Sequence, residues 1–190
     1  MRKIKIKDIY IIASLFTHEE LKVVHDCIGE AVWNKDELSD NQFFEVGEQG
    51  EILGEGSSCC MASLILEEKN KIIKENIEKD FNCTVGEEGI GTVVRYTPGW
   101  VLEYHADCWS DLPTYSGLPS RDISSILYLT ENFEGGSLVF PDLDIEIQPL
   151  AGSAIYFPSD EDHMHTVIEV ESGDRSACTG FWHILNKETK

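Results

Sequence analysis

Three short stretches of the chain carry residues whose types and spacing suit a metal site. His105-Ala106-Asp107 ends an apolar run that alternates like a strand. Alternation puts His105 and Asp107 on one face, two residues apart, where an imidazole and a carboxylate reach one ion. His163-Met164-His165 begins 58 positions after His105 and precedes another strand. Its two imidazoles share a face on an extended segment, so spacing leaves either His163 or His165 as a third ligand. Two histidines and one carboxylate, with coordination positions left over, form the ligand set of non-haem ferrous iron that activates oxygen. Arg175 lies ten residues beyond His165, across the Ser172-Gly173-Asp174 turn. A guanidinium there takes a small dicarboxylate bidentately beside the metal. Each feature alone has a plainer reading: a surface His–Asp pair, a solvated loop histidine, an arginine offsetting Asp174. Their order on successive short strands favours the joint reading.

The elements that must position these residues divide the chain in two. Thr17-His18-Glu19-Glu20 is a capping box, in which Thr17 and Glu20 satisfy the first amides of a helix. Leu21, Val24, Cys27-Ile28 and Ala31 then recur at helical spacing to about Val32. A polar loop from Asn34 to Gly56, with a short strand near Phe43–Val46, leads to a second helix from about Ser58 to Asp80. From Thr84 onward, Gly and Pro interrupt short apolar runs every eight to twelve residues or so, the rhythm of an all-β sandwich or barrel. Eight strands are expected: 91–96, 101–105, 122–130, 137–140, 144–148, 153–157, 166–171 and 176–185. The expected fold is mainly β with N-terminal helices: a double-stranded β-helix, or jelly-roll, backed by two helices. We read 1–190 as one domain, with a helical support region over 1–83 and the catalytic core over 84–186.

Composition narrows the partners. Thirty-five acidic against 15 basic side chains in 190 residues give a formal charge of −20. That balance argues against nucleic acid, whose phosphates are bound by Lys and Arg, and against anionic membrane surfaces. Carboxylates flank the metal-like cluster (Asp142, Asp144, Glu146, Asp160-Glu161-Asp162, Glu169, Glu171, Asp174), an acidic rim suited to cationic peptides or amines. The six cysteines, Cys27, Cys59, Cys60, Cys83, Cys108 and Cys178, lack CxxC spacing and read as free thiols. Arg2, Lys3, Lys5 and Lys7 before the apolar run Ile9–Phe16 imitate a leader faintly. Asp8 and the capping box favour a strand running into a helix. These features point to a reducing, cytoplasmic setting; oligomeric state is not expressed in the sequence.

Beyond these residue-level signals, the chain resembles a known family, the 2-oxoglutarate- and Fe(II)-dependent dioxygenases, in their prolyl 4-hydroxylase-like branch. Residues 95–107 (RYTPGWVLEYHAD) follow that family's Y-x-x-G-x-x-L-x-x-H-x-D pattern. Ser124 to Leu129 follow S-x-x-x-Y-L, and Gly135 to Phe140 follow G-G-x-L-x-F. Pro149 to Ser159 follow P-x-x-G-x-A-x-x-F-P-S, and His165 to Arg175 follow H-x-V-x-x-V-x-x-G-x-R. The resemblance covers about half the chain.

The resemblance implies His105, Asp107 and His165 as iron ligands, and so selects His165 over His163, which becomes a rim residue. It implies 2-oxoglutarate chelating the iron, its distal carboxylate on Arg175 and the Tyr128 hydroxyl, with Tyr96 lining the same pocket. Dioxygen is the second cosubstrate and ascorbate a candidate reductant. The implied reaction hydroxylates a substrate C–H bond and releases succinate and CO2. A carboxylate at Asp107 favours hydroxylation over halogenation, since halogenating relatives lack it. The implied substrate is a prolyl residue in a peptide or protein, with a free amino acid or other small molecule as the alternative. Relatives often carry Trp six positions after the cosubstrate arginine, where this chain has Phe181 and then Trp182 on the other face. The segment Cys108–Arg121, with Trp109, Tyr115 and Arg121, stands where a substrate lid falls. A non-catalytic cupin-like binding module would share the barrel but need neither triad nor Arg175. A nucleic-acid dealkylase would typically place a second arginine at the position of Phe181.

Overall fold

The computed structural model describes residues 2–30, 34–35, 45–46, 57–87, 93–108 and 121–187. Two antiparallel sheets face each other, and two helices back the larger one. The larger sheet takes strands from both ends of the chain. Its first strands are β1 (Arg2–Ile6) and β2 (Ile9–Ala13), followed by the short β3 (Asn34–Lys35), β4 (Glu45–Val46), β5 (Cys83–Glu87) and β6 (Val93–Tyr96). The smaller sheet begins with β7 (Leu102–His105). Next come β8 (Ile123–Tyr128), β9 (Phe133–Gly135), β10 (Leu138–Phe140), β11 (Ile145–Ile147) and β12 (Ala154–Pro158). The last three are β13 (His165–Val167), β14 (Val170–Gly173) and β15 (Arg175–Lys187). The larger sheet runs β1-β2-β12-β8-β15-β6-β4-β3, with β5 also paired to β15. The smaller runs β11-β10-β13-β7, and β14 pairs with β9.

Strand chemistry explains these positions. The six residues of β8 are all buried, as a strand covered on both faces requires. Every residue of β1 is exposed, and its Lys3 and Lys5 blunt an edge open to further pairing. Residues 1–83 therefore contribute strands as well as helices: β2 hydrogen-bonds to β12 in the larger sheet.

The helices follow the sequence closely. The first, α1, spans His18–Glu30 and opens on the predicted capping box. Thr17 N–H donates to Glu20 Oε2 (2.7 Å) and Glu20 N–H to Thr17 Oγ1 (3.2 Å). The second, α2, spans Ser57–Phe81 and turns Ile73 and Ile77 onto the sheet. One core lies between helices and larger sheet, built on Ile12, Val24, Ile73, Ile77 and Trp182. The other fills the space between the sheets, built on Tyr128, Leu138, Phe140, Phe157 and Val170. Each such aliphatic or aromatic side chain contributes about 1.5–3 kcal/mol by leaving water.

Three expectations are corrected. The single strand expected over 166–171 is two, β13 and β14, which lie in different sheets. The break falls at Ile168 and Glu169, whose backbone bonds go to Ser137 and Gly136 instead of a continuing ladder. The stretch 131–136, left between the expected strands 122–130 and 137–140, holds β9, paired with β14. A Cβ at Gly135 would lie 2.1 Å from the Glu169 carbonyl oxygen, so only glycine permits this approach. Finally, β5 was absent from the expected set; its register against β15 shifts between Ile184 and Asn186.

Candidate metal and cosubstrate site

The ladder between β7 and β13 builds the site. His105, the last residue of β7, pairs directly with His165, the first of β13. Asp107 follows two residues beyond the strand, and one donor atom from each of the three lies within 4.8 Å of the others. Asp107 Oδ1 is 3.2 Å from His105 Nε2, and Oδ2 is 3.7 Å from His165 Nε2. Each imidazole is oriented by its own backbone. His105 Nδ1 donates to the Glu103 carbonyl (2.7 Å) and His165 Nδ1 to the His163 carbonyl (3.1 Å). A carbonyl only accepts, so Nδ1 carries the proton in both rings and Nε2 is left to face an ion. Phe140 and Phe157 pack around His165, at 5.5 and 5.1 Å between ring centroids.

Charge at the cluster follows from burial and pairing. Burial pushes the Asp107 carboxyl up, but hydrogen bonds from His105 and Ser124 and the nearby His165 outweigh it and hold it below the usual range. Burial pushes His105 down, and the Asp107 carboxylate more than restores it, leaving the ring above its ordinary value. For His165 burial prevails and lowers the value. Metal binding needs the ionised carboxylate and both imidazoles neutral, so an entering ion would replace the proton that Asp107 favours on His105 Nε2.

Arg175 stands at the start of β15, opposite Tyr96 of β6. It is 2% exposed, with its Cζ 4.9 Å from the Tyr96 ring centroid and 5.4 Å from that of Tyr128. Burial pushes the Tyr96 phenol up to about 12 and raises that of Tyr128 as well, so both remain protonated donors. Two polar atoms here are buried without a hydrogen-bond partner, Arg175 Nε and the Tyr128 hydroxyl. A buried cation beside an orphaned hydroxyl is costly unless a ligand supplies acceptors. A carboxylate meets that need, so these residues fit the distal end of 2-oxoglutarate, as the three donors fit a divalent ion. Asp107, His165, Arg175, Tyr96 and Phe181 line one cavity.

The remaining expected residues separate cleanly. His163 stands outside the donor cluster: its Nδ1 bonds Asp160 Oδ1 at 2.6 Å, and only its carbonyl serves His165. Phe181 faces the cavity and Trp182 the helix-side core, as alternation requires. Arg121 stacks on Phe181, Cζ 3.6 Å from the ring centroid. Trp109 and Tyr115 lie outside the described residues. Reasoning from residue types missed Ser124, which lines the cavity with Asp107 and helps hold that carboxyl low; its one signal was its place in the S-x-x-x-Y-L motif.

Comparison with known proteins agrees with this geometry. Residues 91–183 match the 2OG-Fe(II) oxygenase superfamily. Prolyl 3-hydroxylase 2 of Rattus norvegicus is 34% identical over 85 residues, 42% of this chain and 12% of that protein. The match therefore spans about an eighth of the length of that relative. A viral collagen prolyl hydroxylase from Paramecium Bursaria Chlorella virus-1 superposes with a TM-score of 0.66 at 20% identity, over 95% of this chain and 97% of the other. A Trichoplax adhaerens prolyl hydroxylase, solved with a hypoxia inducible factor peptide, gives 0.65 at 19% identity over 93% and 83%. Fold and site thus define an oxygenase of the double-stranded β-helix class. The 91–183 stretch carries the match to the 2OG-Fe(II) oxygenase superfamily, and the chain is similar to prolyl hydroxylases in part of its sequence and in fold.

Proposed function

We propose that this chain is a Fe(II)- and 2-oxoglutarate-dependent dioxygenase that hydroxylates a prolyl residue in a peptide or protein. The observation that carries the reading is one cavity lined by Asp107 and His165, which cluster with His105, and by Arg175, whose Nε is buried and unpartnered. In this reading the three donors hold iron on one face, and Arg175 with the Tyr128 hydroxyl takes the distal carboxylate of 2-oxoglutarate. Tyr96 covers the guanidinium and limits water around it. When bound, iron and cosubstrate supply the oxidative chemistry, converting substrate C–H, O2 and 2-oxoglutarate into alcohol, succinate and CO2. Ascorbate serves as a reductant that keeps the iron ferrous. Phe181, stacked under Arg121, forms the apolar wall against which a pyrrolidine ring packs.

Support for a prolyl substrate comes from the named activities of the sequence relatives. Support for a cationic one comes from a neighbouring groove of about 870 Å³. Six carboxylates line it (Asp8, Asp80, Asp122, Asp160, Glu161, Asp162) against the cations Lys5 and Arg121. The cytoplasm is the proposed setting, a reducing compartment that suits ferrous iron and six scattered cysteines without CxxC spacing. Mass spectrometry for a +16 product decides between substrates, using prolyl peptides and free amino acids side by side while succinate is monitored. Product on peptides is expected. Product on free amino acids alone moves the assignment to a small-molecule hydroxylase, and succinate release no faster than without iron favours a binding module.

A further inference from the structure

The two unpartnered donors assigned to the distal carboxylate stand at strand ends, Tyr128 closing β8 and Arg175 opening β15. The last ladder pair between these strands is Tyr128 with Ala177. One rung beyond it, side chains take over from backbone pairing. Leu129 N–H still donates to the Ser176 carbonyl (3.0 Å). Ser176 N–H donates to Thr130 Oγ1 (2.7 Å), and the Thr130 hydroxyl donates in turn to the Asp174 carbonyl (2.9 Å). The Leu129 carbonyl meets His25 Nε2 of α1; a carbonyl only accepts, so His25 donates. One hydroxyl thus grips the chain on both sides of Arg175, at the carbonyl before it and the amide after it. Strand ends open first unless their backbone groups find such partners.

We propose that Thr130, with His25 behind it, fixes the placement of Arg175 beside Tyr128 and thereby sets affinity for the distal carboxylate of the cosubstrate. The proposal rests on the cosubstrate reading above. Thr130 and His25 line a separate cavity with Ser176, while Arg175 lines the one it shares with Asp107 and His165. They act through the backbone of Leu129 and of residues 174–176, so both are positioning residues. The consequence is selective. Loosening this rung displaces the donors to the distal carboxylate and leaves the metal donors, on β7 and β13, where they are.

Calorimetric titration of the Mn(II)-loaded full chain with 2-oxoglutarate and, separately, with oxalate tests this without turnover. Oxalate chelates the same ion but has no distal carboxylate. Thr130→Val keeps the branched shape and removes both bonds. It is expected to raise the 2-oxoglutarate Kd about three- to tenfold, the scale of one weakened hydrogen bond, and to leave the oxalate Kd unchanged. Thr130→Ser keeps the hydroxyl and should stay near the parent. His25→Leu should raise the 2-oxoglutarate Kd about threefold. The stability control is Glu20→Gln, whose partner Lys69 lies on α2; it should lower Tm and leave both Kd values alone. A Thr130→Val Kd for 2-oxoglutarate within about twofold of the parent overturns the proposal. So does an equal loss for oxalate, or an equal loss in Thr130→Ser or Glu20→Gln. If Thr130→Val does not fold, His25→Leu decides, and an unchanged 2-oxoglutarate Kd there overturns the proposal. A parent chain that binds oxalate but no 2-oxoglutarate overturns the cosubstrate reading itself, which is a different result from a parent that binds both and a variant that matches it.

Discussion

His105 and His165 are register partners across β7 and β13, with ring centroids 4.5 Å apart. One rung of an antiparallel ladder therefore fixes two of the three donors, and Asp107 joins them from just past the strand end. His163 is only two residues away, yet its ring is committed to Asp160. His165→Ala should abolish iron-dependent turnover. His163→Ala should retain most of it, because the carbonyl that receives His165 Nδ1–H belongs to the backbone and survives. Succinate release at saturating iron checks both; the reverse pattern would make His163 the ligand.

Gly136 gives Arg175 its room. Its φ is +64°, and a Cβ there would stand 2.9 Å from Arg175 Cδ. Gly136→Ala should therefore push the guanidinium aside, while Arg175→Lys removes the planar fork. Both variants should weaken 2-oxoglutarate binding, by about tenfold or more for Arg175→Lys, the scale of a lost charge-assisted hydrogen bond. The Mn(II) Kd should stay constant in both, a split readable by competition binding.

Glu20 links the capping box to α2, with Lys69 Nζ 2.6 Å from its Oε1. Burial pushes the Glu20 carboxyl up, but bonds from Lys69 and from Thr17 outweigh this and hold it below the usual range. A folded value below the unfolded one stabilises above the ordinary carboxylate pKa and is lost as pH falls through the lowered value. Glu20→Gln should cost about 1–2 kcal/mol at pH 7 and progressively less in acid. Urea melts of the metal-free protein across that range check the convergence.

Legibility in the sequence tracked the range of the interactions involved. The capping box and helical periodicity are local, and α1 and α2 lie where they predicted. The Gly- and Pro-punctuated runs placed most barrel strands, since alternation survives wherever one face meets the core. What the sequence hid depends on distant partners. The step at Ile168 and Glu169 is set by contacts with Ser137 and Gly136, and β5 exists only because the long β15 offers it a ladder. The choice between His163 and His165 had the same character. Residue type and spacing left both open, the motif resemblance chose His165, and Asp160 explains physically why the other ring is occupied elsewhere. Ser124 was invisible to residue chemistry because a serine in a strand has no signature until its carboxylate neighbour is known.

The acidic groove bears on substrate charge. If it guides a basic substrate, raising ionic strength from low to physiological should increase KM for a Lys-rich prolyl peptide. An uncharged peptide should be little affected, because screening acts on exposed charges over about 10 Å at 0.1 M salt. Glu161→Gln with Asp162→Asn should flatten the difference. Equal salt dependence for the two peptides would remove the groove from recognition.

The central claim is that one cavity assembles iron and 2-oxoglutarate on His105, Asp107, His165 and Arg175. Anaerobic titration of the metal-free chain with Fe(II) and 2-oxoglutarate, followed by visible absorption, tests it most directly. The account predicts a weak metal-to-ligand band that needs both additions, fails in His165→Ala, and requires a higher 2-oxoglutarate concentration in Arg175→Lys. No band in the folded parent protein, or an undiminished band in His165→Ala, would contradict it.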